Sequence, residues 1–265
     1  MEATSTHSTP FAILGTAQLF FRTVGEILLH PRRFFAAQFA PEGTAGDTAA
    51  LRPLPPFEHL AMGIGLATLA TPLHQAMLRL GGFPGKMIEL ANQSPADMLG
   101  TARKMVGHSV RLVDLGALTG IPMIDVPIED AARTATYFLL AALFWLFSGH
   151  RLPVRSVMAY FAYVFGAMLV LDVVANLLGD LLFLALPGDW QSRTFTAGLV
   201  GDAASLVRVA YIVVFPALIF PALLGVPRAT VIGATMLACL SWGLGGLVLT
   251  QLMIGSGLVV LGPGL

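Results

Sequence analysis

Long apolar runs, interrupted by short polar segments, recur along most of this 265-residue chain. The clearest run covers residues 157–171 without a charged side chain; Arg151 and Arg155 precede it, and Trp190 follows it. A basic start, a long apolar body and a nearby Trp are typical of a helix that crosses a bilayer from the cytoplasm. By the same criteria we predict five transmembrane helices, at 60–78, 132–147, 157–178, 206–226 and 230–254, and the helix of the third is expected to continue toward Leu186. The expected fold class is therefore all-α, a polytopic membrane helical bundle.

The N-terminal region has a different pattern, in which apolar residues recur every three, four or seven positions among charged ones. This periodicity predicts an amphipathic helix over 11–39, with a break at His30 and Pro31. A single span here would bury Arg22 and Glu26, so we favour a helix that lies in the membrane interface. Packing of this helix on the protein's own cytoplasmic face is the alternative.

These patterns divide the chain into three regions. A polar tail, predicted to be disordered, precedes the amphipathic helix and a Pro-rich linker, which lead into the membrane domain. A long segment between the first two spans is predicted to be external. Its stretch 110–126 has only ten consecutive residues free of charge, too few to cross a hydrocarbon core of about 30 Å, so we interpret it as interfacial or re-entrant. A further loop is expected at 189–205. The regions are 1–10, 11–58 and 59–261, with the external segment at 81–129.

Composition strengthens the membrane assignment and excludes other classes. Apolar residues make up 56% of the chain and charged residues only 11%, whereas a soluble domain carries about 25% charged residues. The formal net charge of zero argues against a nucleic-acid partner, which needs clustered Lys and Arg. The single cysteine, Cys239, excludes an intrachain disulfide and a cysteine-cluster metal site.

The charges of the short loops orient the predicted bundle. The loop at 148–156 holds Arg151 and Arg155 without an acid, and the loop before the fifth span holds Arg228. The loop between the third and fourth spans is mainly acidic. The positive-inside rule then predicts a cytoplasmic N-terminus and an external C-terminus.

The third span carries an acid, Asp172, that needs a physical explanation, because a carboxylate inside a membrane is costly. Asn176 and Asp180 follow at four-residue spacing and share its helix face. Arg208 and Arg133 enter the fourth and second spans from the same external side. We interpret Asp172, Asn176, Arg208 and Arg133 as a polar network that ties helices together. Coupling to a proton, an ion or a ligand is the alternative role for Asp172, and a shifted helix that leaves Asp172 at the interface is a third possibility.

The sequence contains no catalytic, cofactor-binding or metal-binding pattern. His59, His74, His108 and His150 lack ligand partners at helical spacing, so we interpret them as interfacial polar residues. The glycines at 243–246 lie inside a predicted span and not in a phosphate-binding loop. We therefore predict neither an enzymatic activity nor a cofactor.

Two short motifs resemble those of a known family. His30-Pro-Arg-Arg-Phe-Phe35 ends the cytoplasmic helix, and a Gly/Pro linker leads from it to the spans. The third span opens with Arg155-Ser-Val-Met-Ala-Tyr160-Phe-Ala-Tyr163. The chain thereby resembles bacterial members of the Yip family, the Ypt/Rab-interacting-protein-like membrane proteins. This resemblance implies five spans in a bacterial inner membrane, with a cytoplasmic N-terminus and an external C-terminus. The family's eukaryotic link to Rab GTPases and vesicle trafficking is not carried over.

Two functions from different classes follow. The first is a non-enzymatic membrane scaffold or organising protein of the trafficking type, with the lipid bilayer as its partner. The second is a small transporter or channel subunit that uses Asp172, with Pro216 and Pro221 breaking the fourth span and freeing carbonyl groups. Small residues at four-residue spacing on the fifth span favour close helix packing, either within the bundle or in a homo-oligomer. A membrane-protein partner is also left open.

Overall fold

The computed structural model describes residues 10–39, 53–81, 108–110, 122–188, 190–255 and 261–263. Within these ranges the chain is helical apart from short turns and one pair of strands. The strands, His108–Val110 and Leu261–Pro263, are antiparallel, with His108 opposite Pro263. The predicted all-α fold class is confirmed. Nearly all of the predicted disordered tail and most of the linker lie outside the described residues.

The described residues form eight α-helices, which are α1 (Pro10–Leu29), α2 (Pro31–Phe39), α3 (Pro56–Leu80), α4 (Pro122–Phe147), α5 (Val154–Ala185), α6 (Trp190–Val209), α7 (Phe215–Leu224) and α8 (Arg228–Gly255). A π-helical turn, Ala210–Val214, joins α6 to α7 without a loop. Proline is the first residue of α1, α2, α3 and α4. Its fixed φ suits a helix start, and its missing N–H is not needed there. Gly225 ends α7 with a φ of 66°, a left-handed conformation that favours glycine.

Helix α5 is the centre of the bundle, and every residue from 160 to 170 is buried. It packs most extensively against α3 and α6, while α8 packs on α4 and α7. Helix α3 runs parallel to α5, because its start lies against the middle of α5 and its end against the last turns of α5. Helix α6 runs antiparallel to α5, because its first half lies at Gly179 and its last turn at Asp172.

The N-terminal helices pack on the bundle, which favours the second of the two placements considered for them. Phe20, Val24 and Ile27 of α1 are buried, as are Phe34 and Phe35 of α2. The chain leaves the helical conformation only at His30, between the two helices. One face of the amphipathic pair therefore covers the protein itself, and only the opposite face is left for the surroundings.

One predicted loop is wrong, and one helix is longer than its predicted span. The stretch 189–205 was expected to be a loop, but all of it from Trp190 onward belongs to α6. Its small and polar residues obscure the helix in the sequence, yet they allow close packing: a Cβ added at Gly179 of α5 would lie 3.3 Å from the Ala197 carbonyl oxygen. Helix α4 also begins earlier than expected, at Pro122, so residues 122–129 of the predicted external segment are helical. The rest of the predicted re-entrant stretch, 111–121, lies outside the described residues.

Two stretches among the described residues are long and apolar enough to cross a bilayer, Val154–Ala185 and Phe195–Leu224. The first is mostly buried in the protein, as the core helix of a soluble protein also would be. The second has a mean hydropathy of 2.2 although only 22% of its apolar window is buried. Such a large exposed apolar surface is unfavourable in water. Together the two stretches suggest a membrane protein.

Helices α3 and α5 approach most closely where two glycines meet. A Cβ added at Gly63 would lie 2.9 Å from the carbonyl oxygen and 3.1 Å from the Cα of Gly166. A Cβ added at Gly166 would in turn lie 2.6 Å from the ring of His59. The absence of side chains at both positions lets the two backbones touch, which is how helices commonly associate in lipid.

Gly63→Ala is therefore expected to destabilise the protein by about 1–2 kcal/mol, because the new methyl group meets backbone atoms and forces α3 away from α5. Gly65→Ala is the matched control on the same helix, since Gly65 is exposed and a Cβ there would meet nothing within 4 Å. It is expected to be neutral or slightly stabilising, because Ala favours helix over Gly. The free energy of unfolding in mixed detergent micelles measures both. Equal effects from the two substitutions would contradict the close crossing.

Candidate functional site

Asp172 of α5 lies against Arg208 in the last turn of α6, and an Arg208 Nη2–H donates to Asp172 Oδ1. Both side chains are about three-quarters buried, with 27% and 24% exposure. A guanidinium in this position offsets the cost of holding a carboxylate away from water. The structure thus brings together two of the four residues predicted to form the polar network, and the contact joins α5 to α6.

Of the other two predicted members, only Asn176 has a described side chain. Asn176 lies one helical turn after Asp172 on α5, and its side chain is exposed. Arg133 belongs to α4, but its side chain lies outside the described residues. Within the described residues, the established contact of the predicted network is therefore the one between Asp172 and Arg208.

A second polar pair, which the sequence did not predict, joins α5 to α3. His74 Nδ1 lies 2.6 Å from Asp180 Oδ2. The Asp180 side chain is only 4% exposed, and the His74 side chain is 22% exposed. Two acids of α5, two turns apart, thus hold α5 to a helix on each side.

His74, which was predicted to lack a ligand partner at helical spacing, has one on another helix, and Asp180 belongs to α5 and not to the acidic loop between the third and fourth spans. The third span was predicted to end at residue 178 with its helix continuing toward Leu186, and α5 does continue to Ala185, which keeps Asp180 inside the bundle. The spacing of Asp172, Asn176 and Asp180 was the available signal, because it continues one helix face past the expected end.

The π-helical turn leaves one backbone carbonyl without a partner in its own helix. The Phe215 N–H bonds to the Ala210 carbonyl, so it is not available to Tyr211 as in an α-helix. The next possible donor would be residue 216, but Pro216 has no N–H. The Tyr160 hydroxyl takes this role and donates to the Tyr211 carbonyl oxygen at 2.7 Å. Because Tyr160 is fully buried, the pair lies in the dry interior of the protein.

Two further tyrosines attach the N-terminal region to the bundle. The Tyr211 hydroxyl lies 2.9 Å from the Ile27 carbonyl and 2.8 Å from the Leu28 carbonyl at the end of α1. The Tyr163 hydroxyl donates to the Leu54 carbonyl at 2.7 Å, just before α3 begins. These bonds satisfy carbonyl groups at the end of α1 and just before α3, where the helices themselves supply no donors.

Aromatic contacts extend this attachment to α2. The rings of Phe34 and Tyr163 are 5.0 Å apart, edge to face, and those of Phe35 and Tyr160 are 4.6 Å apart. Phe39 stacks on Phe220 of α7 with ring centroids 6.1 Å apart. We name Tyr160, Tyr163 and Tyr211, with Phe34 and Phe35, the tyrosine cluster. It holds α1 and α2 against α5 and the π-helical turn.

His59 lies at the edge of the tyrosine cluster and is completely buried. Its ring is 4.9 Å from the ring of Phe20 and 5.5 Å from the ring of Tyr163. Gly166 leaves the space that the His59 ring occupies. The prediction that His59 is an interfacial polar residue is therefore wrong: it is a packed core residue between α1, α3 and α5.

The chemistry of these groups is mainly structural. Among the described residues, no three His, Cys, Asp or Glu side chains come together as metal ligands would. Asp172 contacts Arg208, Asp180 contacts His74, and the hydroxyl groups of the tyrosine cluster contact backbone carbonyls. Comparisons with protein-family models, with curated proteins and with solved structures each find no match. The function therefore has to be argued from this geometry alone.

Proposed function

We propose that this chain is a five-span, non-enzymatic membrane protein of the Yip-like type, which acts as a membrane-organising scaffold. One observation carries the proposal: the N-terminal helices are docked on the bundle through the tyrosine cluster. The motif that ends in Phe34 and Phe35 packs on the motif that contains Tyr160 and Tyr163. The two stretches that carry the family resemblance are thus in contact. The docked helices form a fixed surface at one end of the bundle, as a scaffold requires.

The lengths of the helices support five spans. Helices α3, α4, α5 and α8 contain 25, 26, 32 and 28 residues, and the apolar stretch Phe195–Leu224 contains 30. At 1.5 Å per residue, even 25 residues extend over about 37 Å, which exceeds a hydrocarbon core of about 30 Å. The parallel course of α3 and α5 and the antiparallel course of α6 suit a chain that crosses in alternate directions.

The positions of the basic loops support a cytoplasmic N-terminus. Arg151 donates to the Thr230 hydroxyl at 3.5 Å, so the loop before α5 and the loop before α8 lie at the same end of the bundle. Arg155 and Arg228 are exposed there. The tyrosine cluster is near the same end of α5, whereas Asp172 and Asp180 lie toward the other. The positive-inside rule assigns the end with the arginines to the cytoplasm.

A transporter or channel that uses Asp172 is the weaker alternative. Asp172 contacts Arg208, and the Tyr211 carbonyl group, to which Pro216 can donate no hydrogen bond, accepts one from Tyr160. The bacterial inner membrane stays the proposed location.

The proposal predicts that the protein reconstituted into liposomes carries no proton flux above protein-free vesicles, in wild type and in Asp172→Asn alike. A pH-sensitive dye inside the vesicles measures this flux. A wild-type flux that Asp172→Asn abolishes would establish the transporter instead.

The proposed topology has its own test. A reporter that is active only outside the cytoplasm should be active when it is fused after Leu265 and inactive when it is inserted at Arg151. Activity of the reporter at both sites would overturn the five-span topology.

A further inference from the structure

A shallow groove lies between α1, α2 and the chain that leads into α3. Its cavity volume is about 30 Å³. Half-buried apolar side chains, among them Leu19, Ala37 and Pro53, line it together with charged ones. A groove that combines apolar walls with charged groups suits an amphipathic ligand better than a fully polar one.

The charged groups of the groove are two arginines and one acid. Arg22 of α1 and Arg33 of α2 are exposed, and Glu26, one turn after Arg22, is half-buried. The ion pairs within the described residues join Asp172 to Arg208 and Asp180 to His74, and none involves these three side chains. The groove thus presents guanidinium groups from two helices and a carboxylate beside them, with their charges available to a ligand.

The groove also lies where a lipid can reach it. The face of α1 away from the bundle exposes Leu14, Phe21 and Leu29, which recur at helical spacing. Such a face enters the headgroup and acyl-chain boundary of a membrane. The tyrosine cluster places α1 and α2 at the end of the bundle that carries the basic loops. In the proposed orientation, on which this inference rests, that boundary belongs to the cytoplasmic leaflet.

We propose that this groove binds the headgroup of a phospholipid that carries a primary ammonium group, as in phosphatidylethanolamine. Arg22 and Arg33 bind the phosphate, because guanidinium groups donate paired hydrogen bonds to phosphate oxygens. Glu26 accepts a hydrogen bond from the ammonium group. The apolar walls contact the glycerol and the first methylenes of the acyl chains. The two guanidinium groups match the phosphate of one headgroup, and the carboxylate matches its ammonium group.

Native mass spectrometry of the purified full-length protein, with dioleoyl phosphatidylethanolamine, phosphatidylcholine or phosphatidylglycerol added to the micelles, tests this site. Wild type should bind phosphatidylethanolamine about fivefold more tightly than phosphatidylcholine, whose methylated ammonium cannot donate to Glu26. Arg33→Gln and Arg22→Gln should each weaken phosphatidylethanolamine binding about fivefold or more. Glu26→Met, which removes the hydrogen-bond acceptor, should remove the preference over phosphatidylcholine.

Arg32→Gln is the matched control, because Arg32 is exposed on the same helix but does not line the groove. It should change the binding by less than about twofold, in line with a distant surface charge. Equal losses from Arg32→Gln and Arg33→Gln would overturn the proposal in favour of general charge attraction. So would tighter binding of phosphatidylglycerol than of phosphatidylethanolamine. If the lipid preference is absent while the Leu265 and Arg151 reporters behave as expected, only the lipid site fails and the proposed membrane scaffold stands.

Discussion

Replacing Arg208 with Met is expected to lower the free energy of unfolding of the protein by about 3 kcal/mol or more. The substitution keeps an apolar side chain of similar length but removes the guanidinium that contacts Asp172. The Asp172 carboxylate is then left about three-quarters buried without this cation, and a carboxylate held away from water is costly when its cation is removed. Unfolding in mixed detergent micelles, followed by circular dichroism, measures the loss.

Two further variants separate the ion pair from a general effect of losing an arginine. Arg228→Met is the matched control, because Arg228 is exposed in the turn before α8, and it should change the unfolding free energy by less than about 0.5 kcal/mol. Adding Asp172→Asn to Arg208→Met should recover part of the loss, because the buried charge is removed as well. If the double variant loses as much unfolding free energy as the Arg208→Met and Asp172→Asn single variants together, Asp172 and Arg208 are not energetically coupled.

The contact between Asp172 and Arg208 illustrates what a sequence makes predictable. Helical spacing gave the face of α5 on which Asp172 lies, and the loop charges gave the end of the bundle from which Arg208 enters. Both arguments depend on periodicity and composition, which are local properties. The break at His30 was predictable for the same reason, because Pro31 limits the conformation of the residue before it.

The pair between His74 and Asp180 was missed because Asp180 lies beyond the apolar segment of α5. The third span was predicted to end at residue 178, and α5, which packs against α3 and α6, continues past that point to Ala185. The distance between His74 and Asp180 depends on how α3 crosses α5, and that crossing is set by Gly63 and Gly166. Sequence spacing within one helix carries no information on such a contact.

Helix α6 was missed for a related reason. Its first half contains glycines and polar residues that score poorly as a helix or a span, although its close approach to Gly179 needs small side chains. The tyrosine cluster was not predicted either, since aromatic residues near span ends are usually assigned to the membrane interface. The tyrosine hydroxyl groups are buried because buried carbonyl groups need hydrogen-bond donors. Which carbonyl groups lack a donor is known only once the helices are packed together.

Tyr160→Phe is expected to lower the free energy of unfolding by about 1–3 kcal/mol, because it leaves the buried Tyr211 carbonyl without its donor. The ring of Tyr160 is retained, so the contact with Phe35 should persist. In a Pro216→Ala background the cost of Tyr160→Phe should fall below about 1 kcal/mol. Residue 216 then has an N–H, and the turn can supply the Tyr211 carbonyl with a hydrogen bond from its own helix.

The matched cycle tests Tyr163 in the same way, because its hydroxyl donates to the Leu54 carbonyl instead. Tyr163→Phe should cost the same in the wild-type and Pro216→Ala backgrounds, because Pro216 controls donors to Tyr211 and not to Leu54. The difference between the two cycles therefore isolates the hydrogen bond at the π-helical turn. If Tyr160→Phe costs as much in the Pro216→Ala background as in the wild type, the missing proline N–H is not the reason for the Tyr160 contact. A selective reduction would instead explain why a tyrosine hydroxyl is buried in the bundle: it donates to the Tyr211 carbonyl group, which has no donor in its own helix.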